Sequence, residues 1–248
     1  MIDQNKIRIG IVAGRSIKEP NRPFLDTTNF VNNFVKRLDE VGAIPFGIVF
    51  PDGVFKEEYL DIYDGFFFHS GPHVWPHQLA TLHYAITHNK PVLGICLGEQ
   101  VLGTYAYVID QLKKQEITPT YETIIAYFTP IMEKEDLFLS KVEGHDPEST
   151  FYTDSIPKAQ QQVYLKEGTI LYDIYQKPII NQPSLHNWVV KNSGLDFVAS
   201  AFSPEGYIEA LEYKDSNYFI LGVQFHAELE DKNNILFQRF IQEVQKRK

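Results

Sequence analysis

The stretch Pro91-Val92-Leu93-Gly94-Ile95-Cys96-Leu97-Gly98-Glu99-Gln100 decides how the rest of the chain is read. Its apolar run from Val92 to Ile95 has the length and branching of a buried strand, and it ends at a cysteine with glycine two positions before and two after. Strand, cysteine and then a helix opening at Leu97 form the pattern of a nucleophile elbow. The turn is sharp, the flanking glycines leave room for it, and the side chain is pushed out above the carboxyl end of a sheet. A thiol placed there gains from the N-terminus of the following helix, which favours the thiolate, and from the Leu97 amide, which can donate to an oxyanion. A free cysteine is more often a small buried hydrophobe, but the glycines and the preceding strand weigh against that here. Cys96 is the only cysteine, so neither an internal disulfide nor a multi-thiolate metal site can be built within the chain.

Outward from the elbow, the first half of the chain alternates short β-branched runs with amphipathic stretches. Residues 7–12, 44–50, 63–68 and 92–95 read as buried strands. Residues 27–41 read as a helix, because Phe30, Val31, Phe34, Val35, Leu38 and Val41 keep one helical face and Gly42 supplies the C-terminal cap. A second helix runs through Leu79, Leu82 and Ile86. This alternation predicts an α/β architecture, a mostly parallel sheet with helices on both faces. Residues 111–142 read as charged, partly helical surface material in which Thr118-Pro119-Thr120 and Thr129-Pro130 mark turns or helix starts. They are taken as part of a helical insertion at about 107–145 in a single domain spanning residues 1–248. Residues 197–202, 207–213 and 218–225 predict a small antiparallel section of two hairpins, turning at Ser203-Pro204-Glu205-Gly206 and Lys214-Asp215-Ser216-Asn217. A closing helix starts near Asp231, with Leu236, Phe237, Phe240, Ile241 and Val244 on one face.

Composition narrows the class. With 44% apolar residues in 248, the chain can bury one sizeable core. Lys and Arg number 23 against 32 Asp and Glu, a formal charge of −9, and no stretch gathers bases densely enough to track a phosphate backbone, so nucleic acid is not expected as a partner. Met1-Ile2-Asp3-Gln4-Asn5-Lys6 places an acid and amides where a signal peptide would carry its apolar core, and no apolar run of about 18 residues occurs. A soluble, cytoplasmic protein without membrane association is expected.

A cysteine nucleophile needs a base, and the base an orienter. In Phe219-Ile220-Leu221-Gly222-Val223-Gln224-Phe225-His226-Ala227-Glu228 a histidine ends another strand, again at the carboxyl edge of the sheet. Glu228, two residues on, can fold back onto the imidazole Nδ1–H while Nε2 faces the thiol. The turn His69-Ser70-Gly71-Pro72 ends a third strand at the same edge, where the Gly71 amide can complete an oxyanion hole with Leu97. Alone, each is equally a structural residue; their combination with the elbow favours chemistry.

Gly94-Ile95-Cys96-Leu97-Gly98-Glu99-Gln100 together with Gly222-Val223-Gln224-Phe225-His226-Ala227-Glu228 resembles the class I glutamine amidotransferase superfamily over most of the chain. The resemblance implies a three-layer, flavodoxin-like fold, with Cys96 as nucleophile, His226 as acid–base, Glu228 as orienter, Gly71 and Leu97 as oxyanion donors, and Gln100 as a substrate contact. Pro183-Ser184-Leu185-His186 and the strand pair around 201–210 are similar to the γ-glutamyl hydrolase branch, which includes γ-glutamyl-γ-aminobutyrate hydrolase. In that branch the backbone near Ser184, Leu185 and His186 would hold the α-amino-acid end of a γ-glutamyl group. Ser70, Glu99 and Ala227 depart from the superfamily's usual residues without removing a triad member. The short stretch between Gly71 and Cys96 is like the amidotransferases rather than the polyamine-pathway hydrolases.

The implied activity is a cysteine-dependent hydrolase that cleaves the γ-glutamyl amide of glutamine or a small γ-glutamyl compound through a thioester. The alternatives are a glutaminase subunit delivering ammonia to a separate synthase, and a catalytically inactive regulatory relative. A small γ-glutamyl substrate is expected, no cofactor and no metal; either a synthase partner or a homodimer is compatible with the chain. His69, His73, His77, His83 and His88 are numerous, but Pro72 and Pro76 break the helix that would align them, so they are assigned to the pocket mouth. The glycines at 10 and 14 do not form a nucleotide fingerprint, and Trp75 and Trp188 are taken mainly as packing residues.

Overall fold

The computed structural model describes residues 6–17, 26–143, 145 and 160–248. The N-terminal segment considered above and Gly144 of the expected insertion therefore lie largely or wholly outside the described residues. In chain order the strands are β1 (Arg8–Val12), β2 (Arg15–Ile17), β3 (Asp26–Thr28), β4 (Ile44–Ile48), β5 (Gly65–Phe68), β6 (Val92–Ile95), β7 (Leu139–Lys141), β8 (Gln160–Leu165), β9 (Ile179–Pro183), β10 (Trp188–Val190), β11 (Phe197–Phe202), β12 (Ile208–Tyr213) and β13 (Ile220–Val223). The α-helices are α1 (Asn32–Glu40), α2 (Pro76–Thr87), α3 (Leu97–Lys114), α4 (Tyr121–Phe128), α5 (Ile170–Tyr175) and α6 (Asn234–Arg247).

Among the described residues one nine-stranded sheet has the order β4-β1-β5-β6-β13-β12-β11-β8-β9. Pairings are parallel from β4 to β13 and antiparallel from β13 to β9. The pleat splits the core in two. Phe66 and Phe68 of β5 join Leu79, Val101, Leu102 and Tyr105 on one face, whereas Phe67 joins Phe34, Leu38, Phe237 and Phe240 on the other. Helices α2, α3 and α4 therefore cover one side and α1, α5 and α6 the other, the three-layer flavodoxin-like arrangement expected. The expected antiparallel hairpins, β11–β12 and β12–β13, form and continue the main sheet beyond β13.

Some local readings change. The helix expected from residue 27 starts at Asn32, because Asp26–Thr28 pairs with Arg15–Ile17 as a two-stranded ribbon, a use that suits the β-branched Thr27 and Thr28. The elbow helix α3 runs without interruption past residue 107 to Lys114, and its Val108, Ile109 and Leu112 are buried. Thr120 caps α4 by accepting from the Thr123 amide, and Ile124 and Phe128 are buried in the core shared with α2 and α3. Residues 121–128 are thus a packed part of one layer and not only charged surface. Beyond them β7 pairs with β10, which brings the end of the expected insertion against the segment that follows Ser184.

Candidate active site

Three adjacent parallel strands, β5, β6 and β13, deliver the expected residues to one sheet edge. Val223 is in register with Ile95 and Gly222 with Gly94, so the chain emerges from both strands at the same level. Cys96 follows β6 with φ 56 and ψ −108, and α3 begins at the next residue. The two glycines of the elbow have separate reasons. A Cβ on Gly94 would stand 2.7 Å from the Gly98 carbonyl, and one on Gly98 would be driven into the Phe68 carbonyl of β5. The helix start is therefore seated directly on the backbone of the neighbouring strands. The Leu97 amide, in the first turn of α3, has no acceptor within the helix.

His226 leaves β13 with its amide donating to the Pro183 carbonyl at 2.9 Å. On one side of the ring Nδ1 lies 2.7 Å from Glu228 Oε1, which leaves Nε2 for other partners, and Cys96 is near enough to act on the ring electrostatically. Burial alone would lower the His226 pKa, but the charges of Glu228 and Cys96 and the hydrogen bond to Glu228 outweigh it and hold the ring well above the ordinary imidazole range. Arg37 supports the turn from below, with Nε donating to the Glu228 carbonyl at 2.9 Å and the guanidinium paired to Glu40 and Asp231.

Gly71 and Leu97 also come together: a Cβ at Gly71 would meet Leu97 Cδ2 at 3.0 Å. Behind this loop His69 stacks on Phe34 and bonds the Ser70 carbonyl through Nδ1. Gln100 is buried, and its amide donates to the Trp188 carbonyl at 2.9 Å and to Gln224 Oε1 at 3.0 Å. Its donors thus brace the cleft wall. Ser184 Oγ and the His186 amide both donate to the His145 carbonyl, at 2.9 and 3.1 Å. The His186 amide is thus engaged within the protein.

The sequence profile of the Peptidase C26 family matches residues 77–228, from α2 through the last member of the expected triad. The chain belongs to the Peptidase C26 family. This places it in the class I glutamine amidotransferase-like superfamily of hydrolase-type enzymes, as the two motifs suggested. The CTP synthase of Chlorobium phaeobacteroides is 31% identical over 162 residues, covering 62% of this chain and 27% of that protein. Protein NtpR of Enterococcus hirae is 28% identical over 170 residues, covering 67% of this chain and 60% of NtpR. The chain thus spans about a quarter of the length of the CTP synthases it matches. Among solved structures, the glutaminase domain of Trypanosoma brucei CTPS with bound acivicin superposes with a TM-score of 0.65 at 14% identity, covering 98% of this chain and 95% of that one. A chain described as a GMP synthase subunit from Thermoplasma acidophilum gives 0.64 at 16%, covering 98% and 96%. At those identities the likeness bears on the fold.

Within this Peptidase C26 domain two acids are of a kind that sequence patterns do not show. Glu99 is wholly buried with neither carboxylate oxygen hydrogen-bonded; burial first, then Glu209 and Cys96, push its pKa well above the carboxylate range. Glu209 on β12 is also wholly buried and is pushed up to about 8 by burial, with Gln161 acting against the shift and Glu205 adding to it. His186 moves the other way, down to about 3, through burial and then the nearby His145 and His226. A Glu in the elbow motif and one in a strand that faces the core were the signals available, together with Arg37 on the otherwise apolar face of α1.

The histidine-rich stretch disperses. His73 pairs with Glu135, His77 bonds the Ala13 carbonyl, His83 meets the Tyr105 hydroxyl, and His88 bonds the Tyr84 carbonyl. Of these, His73 lines a small cleft with Leu97, Gln100 and Trp188. Trp75 packs on Gly14. Among the described residues no helix is long and apolar enough to cross a membrane.

Proposed function

We propose that the chain is a glutaminase of the class I amidotransferase type, which hydrolyses the side-chain amide of glutamine and supplies the ammonia to a separate synthase. The observation that carries this reading is the convergence of Cys96 and His226 at adjoining strand ends, with His226 Nδ1 2.7 Å from Glu228 Oε1. The similarity to CTP synthases over only their glutaminase-sized portion supports the choice of substrate.

In this mechanism Cys96 Sγ attacks the γ-carbonyl carbon, and the oxyanion that forms accepts from the Leu97 and Gly71 amides. His226, held as imidazolium by Glu228, gives its proton to the amide nitrogen as the C–N bond breaks and ammonia leaves. The γ-glutamyl thioester is then attacked by water, whose proton returns to His226, and glutamate departs as the Cys96 sulfur is regenerated. Glu228 keeps Nδ1 protonated throughout, so that Nε2 alone exchanges protons with the reacting groups. Gln100 and the 184–186 segment would shape the wall that receives the amino-acid end.

A second reading is a hydrolase that cleaves a small γ-glutamyl compound unaided. The Pro183-Ser184-Leu185-His186 segment and the β11–β12 pair, which resemble that branch, favour it. The experiment is glutamate and ammonia release from glutamine and a panel of γ-glutamyl amides, by the purified chain and by the assembly isolated with it. Glutamine turnover that is slow alone and stimulated in the assembly is expected. Fast unassisted turnover of another γ-glutamyl amide, with glutamine ignored, would replace the first reading by the second. Release unchanged in Cys96→Ala would remove both.

A further inference from the structure

The protein contains a second constellation that the proposed reaction does not use. His145, His186 and Glu209 each offer a ligand atom within 4.8 Å of the others, and all three residues are buried. Glu209 Oε1 lies 3.7 Å from His145 Nδ1 and 3.6 Å from His186 Nε2. These separations exceed a hydrogen bond, and none of the three atoms has a hydrogen-bond partner. The second Glu209 oxygen is equally without one.

The tautomers explain why the arrangement looks incomplete. His186 Nδ1 lies 3.2 Å from the Trp188 carbonyl, so that nitrogen carries the hydrogen. In the neutral ring Nε2 then directs a lone pair toward the Glu209 carboxyl. His145 sits the other way round: Nε2 lies 3.6 Å from Glu205 Oε2, beyond hydrogen-bond reach, while Nδ1 lies toward Glu209. Each imidazole thus turns one nitrogen toward Glu209, and His186 is backed by a carbonyl, as metal-bound histidines are.

We propose that His145 Nδ1, His186 Nε2 and Glu209 Oε1 bind a divalent transition-metal ion of the zinc class. Around a tetrahedral centre with bonds of about 2.0–2.1 Å, ligand atoms stand about 3.4 Å apart; the two distances to Glu209 are 3.6 and 3.7 Å, and the third side of the triangle is within 4.8 Å. Two nitrogens and one oxygen select zinc, cobalt or nickel over calcium and magnesium, which take oxygen ligands. Three protein ligands leave a fourth position for water. The site is held in advance: both the Ser184 hydroxyl and the His186 amide bond the His145 carbonyl, which fixes the two histidines beside each other with ring centroids 4.9 Å apart. The bound ion would tie the end of the β7 segment, the 184–188 segment and β12 into one wall.

The test uses the full chain freed of metal by chelator. Titration with Zn2+ by calorimetry is expected to show a single ion bound per chain. The Co2+-loaded protein is expected to show visible d–d absorption without a thiolate charge-transfer band. Glu209→Gln should weaken binding by at least about a hundredfold, and Glu205→Gln, which removes the group behind His145, by about tenfold. Cys96→Ala should bind as the wild type does. His145→Ala supplies the same test as Glu209→Gln if the buried strand variant fails to fold. No uptake by the wild type, uptake unaltered in the folded Glu209→Gln or His145→Ala proteins, or uptake lost in Cys96→Ala overturns the proposal, the last by placing the ion on the thiol.

Discussion

Glu228 Oε1 stands 2.7 Å from His226 Nδ1, although only Ala227 separates the two residues. A strand could not bring them together, since alternate side chains would share a face with their tips apart. The chain instead makes a short 3-10 turn over Ala227–Leu229 directly after His226, and the carboxylate folds back. Glu228→Gln keeps the shape of this pair and removes its charge. The expected result is a kcat lower by about 10²–10⁴-fold, with an unchanged circular dichroism spectrum. Without Glu228 the imidazolium is less favoured, so the pH–rate profile of the variant should lie at lower pH than that of the wild type.

Cys96→Ala should lower glutamate release by at least about 10⁴-fold, because the remaining site offers no group able to form the thioester. In the wild type, a diazo-ketone analogue of glutamine should label Cys96 and nothing else, with the adduct located by peptide mass spectrometry. Labelling elsewhere, or none, would count against the assigned nucleophile.

Gly98→Ala tests the seat of the elbow. The added methyl meets the Phe68 carbonyl of β5, which cannot retreat without breaking the centre of the sheet. A loss of about 3 kcal/mol or more is expected from chemical denaturation, at the upper end of overpacking effects. Gly206→Ala, at an open turn where nothing lies within 4 Å of the new Cβ, serves as the comparison and carries only the backbone cost of its φ of +88.

Glu99→Gln should stabilise the protein in a pH-dependent way. The folded state raises the Glu99 pKa well above its ordinary 4.5, so ionising it there is harder than in the unfolded chain. Wild-type stability contributed by the neutral carboxyl is therefore present below 4.5 and is lost as pH rises through the window above it. The neutral glutamine has no such loss. At about pH 8 the variant should be more stable by about 1–3 kcal/mol, and the difference should vanish near about pH 4. Urea unfolding at a series of pH values reads this directly.

The parallel half of the sheet and the reactive edge were legible because apolar runs such as 92–95 and 220–223 are buried on both faces and leave a continuous signal. Gly94, Gly98, His226 and Glu228 could be placed because the elbow and the return turn involve neighbours in sequence. The antiparallel outer strands were harder. β8 opens Gln160-Gln161-Gln162 and sits near an edge, so its residues are polar where a central strand would be apolar. The 107–145 stretch read as surface because its helix α4 buries only Ile124 and Phe128. His145, His186 and Glu209 come from three separate segments, and no spacing in the sequence connects them. Gln100 follows the elbow closely in sequence, but its internal bonds to Trp188 and Gln224 reach residues 88 and 124 positions away.

Cys96 adopts φ 56 and ψ −108, a backbone setting natural to glycine and uncomfortable for any residue with a Cβ. Such a residue stores about 1–3 kcal/mol in every folded molecule, whether or not substrate is present. The fold would be at greater ease without its thiol: Cys96→Gly should melt higher, by about 2–4 °C for each kcal/mol released, while being inert. The proposed nucleophile is in this sense a tenant that the scaffold supports against its own thermodynamic preference. Selection for stability alone would evict it.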